Sequence, residues 1–127
     1  MDILIESTNA FEKDLDKLSD SDKKVAIQQI NAYANLFPKK KDGVYRKLHC
    51  LPLPTVLNGY ESSLYTLKVS RELRMILAID EDPIFGQVIF TLFRVIKRDD
   101  LDEAHKSVSE SLYQELLHQD REMVQVS

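Results

Sequence analysis

The chain opens on "DILIES", where Ile3 and Ile5 alternate with polar neighbours, the period-two signature of a short strand. Directly afterwards the period changes. Phe11, Leu15 and Leu18 recur at i, i+4 and i+7 as one apolar stripe of a helix, and Asn9 followed by Glu12 offers a capping-box-like start. "LSDSDKK" interrupts the stripe and supplies new N-cap candidates in Ser19 and Ser21. A second helix then carries Ala26, Ile30, Tyr33 and Phe37 on one face and stops at Pro38. So short a link predicts an antiparallel helical hairpin.

"PKKKDG" reads as a basic turn, and residues 44–60, containing "HCLPLPTVLNGY", read as extended chain and loop rather than helix. Three strands are predicted next, over 64–70, 74–81 and 85–96, with "DEDP" turning between the last two. "QVIFTLFRVI" is apolar at both parities, which marks an interior strand. A final helix is expected over 101–118, with Leu101, Ala104, His105, Val108, Leu112 and Leu116 on one side and 119–127 as a frayed tail. The order predicts an α+β fold: two N-terminal helices packed on a mainly antiparallel sheet of about four strands, with a C-terminal helix. One sheet face receives the helices. The other is expected to be free and polar.

The length of 127 residues suits a single domain over 1–127, with its core between about residues 3 and 118. Hydrophobic content of 43% with 30% charged residues is that of an ordinary globular chain, and no apolar run approaches a membrane span. "MDILIESTNA" has no cationic n-region, so a cytoplasmic location is expected. Cys50 has no partner for an internal disulfide, and no metal spacing surrounds it or the neighbouring His49.

The net charge of −4 is unevenly spread. Residues 1–37 hold four Lys/Arg against seven Asp/Glu, 38–98 hold eleven against six, and 99–127 hold two against eight. A basic middle between acidic flanks can bind phosphate locally, because potentials act within a Debye length, but it suits a DNA-coating role poorly. Strand alternation puts Lys68 and Arg74 on one face, opposite the face shared by Leu67, Met75 and Leu77. Arg98, on the parity of Arg94, adds to the same patch, whereas Lys97 falls on the other parity. On residue chemistry alone, these cations fit either a solvated, edge-protecting face or an anion-binding one. His105 likewise fits either a core position or a proton donor, and Lys39, Lys40 and Lys41 read as a solvated turn.

The segments "FEKDLDKL", "YTLKVSRELRMILAIDED" and "IFTLFRVIKRDDLDEAH", in that order, resemble the RelE/ParE toxin superfamily of bacterial toxin–antitoxin modules. The shared pattern is a strand ending Tyr-x-x-(Lys/Arg)-Val, a turn, an Arg opening the next strand, and a last strand entering a basic-Arg-Asp-Asp segment; it covers about residues 3–118. The resemblance implies a type II toxin that is a ribosome-dependent mRNA endonuclease, working with no metal or other cofactor. It implies catalytic roles for Lys68, Arg74 and Arg98, with His105 as a general acid, and RNA contacts for Arg71, Lys97 and Arg94. It also implies a cognate antitoxin, the ribosome and mRNA as partners, with no membrane partner and DNA reached only through the antitoxin. The chain departs from active relatives in carrying Thr66 where some have a second lysine, and Ala104 and His105 about where they have a catalytic tyrosine. Its 49–63 loop is also long for the superfamily. The alternative is a ParE-like DNA gyrase inhibitor, or a catalytically degenerate antitoxin-binding member.

Overall fold

The computed structural model describes residues 2–52 and 63–126, with side-chain detail over 2–51 and 64–114. In chain order it comprises β1 (Asp2–Ser7), α1 (Asn9–Asp16), α2 (Asp20–Leu36), α3 (Lys41–Lys47), β2 (His49–Pro52), β3 (Ser63–Lys68), β4 (Leu73–Asp82) and β5 (Gln87–Lys97). A 3-10 turn (Arg98–Asp100) then leads into α4 (Leu101–Val126). The strands form one sheet in the order β1-β5-β4-β3-β2. Every neighbouring pair is antiparallel except β1 and β5, which run parallel.

The architecture is thus α+β with a C-terminal helix, but the sheet is mixed and has five strands rather than about four. The strand not anticipated is β2, four residues at the sheet edge that end on Pro52. Proline donates nothing to a ladder, so a Pro-containing stretch pairs only at an edge and for a short length. Residues 53–62, the rest of the expected loop, lie outside the described residues.

Two further elements depart from the pattern. Residues 41–47, expected as turn and extended chain, form α3 around Val44, which is fully buried. Its own propensity is weak, with Gly43 inside it, so burial of Val44 and the packing of Tyr45 against Phe37 and Tyr65, each at 5.6 Å between ring centroids, support it. At the other end α4 continues to Val126 instead of fraying from 119, over a segment with neither Gly nor Pro to stop it.

Both sheet faces are covered. Phe11, Ile30, Phe37, Met75, Leu77 and Phe90 belong to one apolar cluster, between the sheet and the three N-terminal helices. The opposite face, expected to be free and polar, carries a second cluster in which Leu64, Ile76 and Ile96 meet Ala104 and Val108 of α4. Apolar side chains at both parities of the inner strands demand a cover on each side, and α4 is the second cover.

The N-cap of α1 is Thr8 rather than Asn9: the Thr8 hydroxyl accepts from Phe11 N at 3.1 Å, while Glu12 accepts from the Ser7 hydroxyl at 2.5 Å. Ser19 caps α2 as expected. The turn between β4 and β5 is closed by the Asp82 carboxylate, which accepts from Ile84 N and Phe85 N, and by Gly86 at φ 65°, a left-handed conformation that glycine adopts without strain.

β1 stops pairing at Ser7, opposite Leu92, and leaves the rest of that edge of β5 without a strand. Residues of and before α1 take its place. Thr8 N donates to Leu92 O at 3.1 Å, the Thr8 hydroxyl donates to Phe93 O at 3.0 Å, and Val95 N donates to the Asp14 carboxylate at 3.2 Å. Arg94 completes the Asp14 site with a fork from Nε at 2.5 Å and Nη2 at 3.1 Å. Here β5 carries a bulge: Ile76 pairs with Arg94 but Leu77 with Leu92, so Phe93 is the extra residue.

A second polar clasp joins α3 to β4, where Lys41 Nζ lies 2.6 Å from Glu81 and the Tyr45 hydroxyl donates to the same carboxylate at 3.0 Å. The hydrogen bond from Lys41, joined by that from Tyr45, holds the Glu81 carboxyl below its ordinary value of 4.5. Burial, joined by the Glu81 bond, pushes the Tyr45 phenol well up.

Two predictions follow from these clasps. Asp14→Ala strands the Arg94 fork and the Val95 N–H and is expected to cost about 3 kcal/mol, as for other broken, largely buried pairs. Urea unfolding with an unchanged midpoint would refute that. Glu81 binds its proton more weakly folded than unfolded, so its stabilisation is complete above pH 4.5 and is lost as pH falls through the lowered folded value. Glu81→Gln is therefore expected to flatten the acid limb of stability below pH 4.5; parallel limbs for the two proteins would contradict it.

Candidate functional site

The short connection between β3 and β4 gathers cations at one end of the sheet. Leu73 O accepts from Val69 N at 3.1 Å and Ser70 N at 3.4 Å, which folds 69–73 into a tight reversal. The register then sets Lys68 directly opposite Arg74, and Arg74 opposite Ile96 of β5. Arg98 N donates to Glu72 O at 2.8 Å, fastening the start of the 3-10 turn to the same reversal. Lys68, Arg71, Arg74 and Arg98 are in this way brought to one place by backbone hydrogen bonding.

Their side chains differ in freedom. Lys68, Arg71 and Arg98 are exposed, and Arg74 is half-buried. Arg74 Nη1 donates to Ser70 O at 2.7 Å, Leu73 O at 3.0 Å and Arg71 O at 3.3 Å, so its guanidinium is aimed by the turn it closes. Arg98 has one loose ion pair, to Asp99 at 3.8 Å, between exposed groups that contribute little. Among the described residues no carboxylate pairs with Lys68, Arg71 or Arg74. The arrangement suits an anion bridging two strands, with one oriented guanidinium and three exposed cations around it.

Two of the expected RNA contacts stand apart. Arg94 is held in the Asp14 fork, which raises its pKa further and leaves its guanidinium bound inside the protein. Arg94 keeps the parity of Ile96 and Arg74, since it pairs with Ile76; what occupies it is the Asp14 carboxylate, at the edge of β5 that β1 leaves open. Lys97 is exposed but pairs with Leu73, on the parity opposite Arg74.

His105 lies in the first turns of α4, beside the buried Ala104, and its Nε2 is buried with no hydrogen-bond partner. Two hydroxyls share that condition: Thr66 Oγ1, opposite Ile76 in the ladder, and Ser109 Oγ, one helical turn beyond His105. All three orphaned atoms belong to the surfaces that α4 and the sheet press together. The sequence departures at Thr66 and His105 thus fall at one layer of the structure, and Ser109 was given by no sequence signal.

A concavity of about 230 Å3 between the start of α1, the β5 bulge and α4 is lined by Thr8, Phe93, Arg94, Ser107 and Ser111 among others, and by none of the four gathered cations. Among the described residues no group of His, Cys, Asp and Glu is placed to hold a metal ion, and no helix is long and apolar enough to cross a membrane. No family model, no curated protein and no solved structure matches the chain.

Thr66→Val keeps the shape of the side chain and removes its unpaired hydroxyl, and Ser109→Ala does the same with a smaller loss of volume. Each is expected to stabilise the fold by about 1 kcal/mol, since a buried hydroxyl without a partner is disfavoured. Thermal or urea melts that move downwards would show that these hydroxyls are bonded.

Proposed function

We propose that the chain is the toxin of a type II toxin–antitoxin module, a ribosome-dependent mRNA endonuclease acting in the cytoplasm through Lys68, Arg74 and Arg98. One observation carries the reading: the Lys68–Arg74 ladder pair and the Arg98–Glu72 backbone bond put three cations around one sheet end, with Arg74 already aimed. The RelE/ParE-like motif order contributes these same residues.

The chemistry fits the residue types. A 2′-hydroxyl attacks the adjacent phosphorus, the bond to the 5′-oxygen breaks, and a 2′,3′-cyclic phosphate and a 5′-hydroxyl result. Negative charge grows on the two non-bridging oxygens, where preorganised guanidinium groups stabilise it. Arg74 is the candidate for that role, Lys68 for holding the phosphate and easing removal of the 2′ proton, and Arg98 for the leaving side. Arginine is a poor proton donor, so a separate acid is needed for the 5′-oxygen. His105 is the candidate acid, and its buried Nε2 has to leave the α4–sheet contact to serve. That burial is also the one observation favouring a catalytically degenerate, antitoxin-binding member. A cognate antitoxin, the ribosome and mRNA are the implied partners.

Primer extension on an mRNA under translation in a cell-free system, with a no-ribosome control, tests the proposal. Discrete ribosome-dependent cuts are expected, with Arg74→Ala reducing them by about 100-fold or more, as for loss of one oxyanion donor. Circular dichroism and melting must show Arg74→Ala folded, because the same side chain closes the β3–β4 turn. Undiminished cutting by the folded variant removes Arg74 from the site, and intact mRNA with the unaltered protein moves attention to gyrase supercoiling.

A further inference from the structure

The lysine-rich run that reads from the sequence as a solvated turn has a defined place in the fold. Pro38, Lys39, Lys40, Lys41, Asp42 and Gly43 line an open concavity of about 490 Å3 at the end of α2. Lys39 and Lys40 are exposed, and so are Arg46 and Lys47 on the following helix. The Lys41–Glu81 and Tyr45–Glu81 bonds hold this segment to β4, so the cations stand on an anchored element. Among the described residues the ion pairs take up Lys41 but none of Lys39, Lys40, Arg46 and Lys47.

The segment is continuous with the site already described. β2 and β3 are antiparallel with His49 opposite Thr66. Lys47 precedes His49 by two residues and Lys68 follows Thr66 by two, so the end of α3 approaches Lys68 at the sheet edge. Cations therefore continue from Arg98, Arg74 and Lys68 towards Lys47 and Arg46, and the lysine turn follows at the far end of α3, where Lys41 meets Glu81, seven residues along β4 from Arg74.

Among the described residues, 38–47 present no free aromatic face for single-stranded RNA. Unpaired bases are held by stacking on free aromatic faces. Tyr45, the aromatic residue of this segment, has its ring packed against Phe37 and Tyr65 and its hydroxyl bonded to Glu81. Lysine has no plane on which a base can stack, so three of these four cations contact phosphates alone, the mode suited to a duplex backbone.

We infer that Lys39, Lys40, Arg46 and Lys47 form a second, non-catalytic phosphate-binding surface that grips the backbone of double-stranded RNA beside the strand held at Lys68 and Arg74. The choice of RNA over DNA rests on the nuclease reading above; the surface itself rests on the placement of the four cations. Its contribution is affinity and orientation, and its mark is steep dependence on salt.

The full chain is titrated onto a labelled 16-base-pair RNA duplex of arbitrary sequence over a range of KCl concentrations, read by fluorescence anisotropy. The variant Lys39→Gln, Lys40→Gln, Arg46→Gln, Lys47→Gln is compared with the parent, with matched melting curves; Gln preserves the chain length of these exposed side chains. Loss of more than tenfold in affinity is expected, with the slope of log affinity against log salt shallower by about 3, near 0.7–0.9 per phosphate contact. Arg74→Ala is expected to keep duplex affinity within about twofold while losing cleavage, which separates the two proposals. Unchanged affinity and slope in the four-Gln variant overturn the inference even when Arg74-dependent cleavage stands. Equal binding of a DNA duplex, or tighter binding of the single strand through the same four residues, overturns it as well.

Discussion

The carboxylate of Asp14 is the point on which the arrangement of this fold turns. It accepts from Val95 N and from two nitrogens of Arg94, at the stretch of β5 that β1 no longer covers. Those acceptors do the work that a continued β1 would have done, so α1 closes the sheet edge instead of hanging beside it. The same contacts sit on the bulge at Phe93. Before it Val88, Phe90 and Leu92 face the N-terminal helices; after it Val95 does, and Ile96 turns to α4. An uninterrupted strand would have exchanged Val95 and Ile96 between the two clusters.

From that exchange follows the shape of the cationic end. Ile96 closes the second apolar cluster on the same ladder row as Lys68 and Arg74, so the apolar cover stops where the basic groups begin. Arg98, just past the strand, is then carried to the β3–β4 turn by one backbone bond to Glu72. Arg74 serves structure and candidate chemistry at once: the carbonyls that orient its guanidinium are those of the turn it stabilises. The α4–sheet contact is the less satisfied of the two covers, with Thr66, His105 and Ser109 each burying a polar atom unpaired.

Much of the fold was legible because it rests on local periodicity. The alternation in "DILIES", the i, i+4, i+7 stripe from Phe11, the Ser19 cap and the doubly apolar β5 correspond to β1, α1, α2 and an interior strand. The α3 helix was not legible, because seven residues with a glycine at the third position form a helix only when Val44 and Tyr45 have something to pack against. Nor was the α4 cover: the final helix showed an apolar side, but its sequence does not say which surface that side meets. At the candidate site, parity alone paired Lys68 with Arg74 correctly, since the turn between them is short and regular. Parity also gave Arg94 the face of Ile96 and Arg74, but no spacing in the sequence shows that Asp14, 80 positions away, takes up its guanidinium.

The sequence by itself determined the elements other than β2 and α3, their α+β order, the absence of a long apolar span and the concentration of positive charge between residues 38 and 98. Each is a property of composition or of spacings shorter than a helix or strand, where local sterics and side-chain period dominate. The tertiary structure alone decided that β1 runs parallel to β5, that α4 covers the second face, that Arg94 belongs to Asp14, and that Arg98 is fastened to the turn beside the Lys68–Arg74 pair. Those outcomes depend on contacts between residues up to 85 positions apart. They are selected by which combination buries both faces of the sheet and satisfies the backbone at its edge, a condition that no single segment contains.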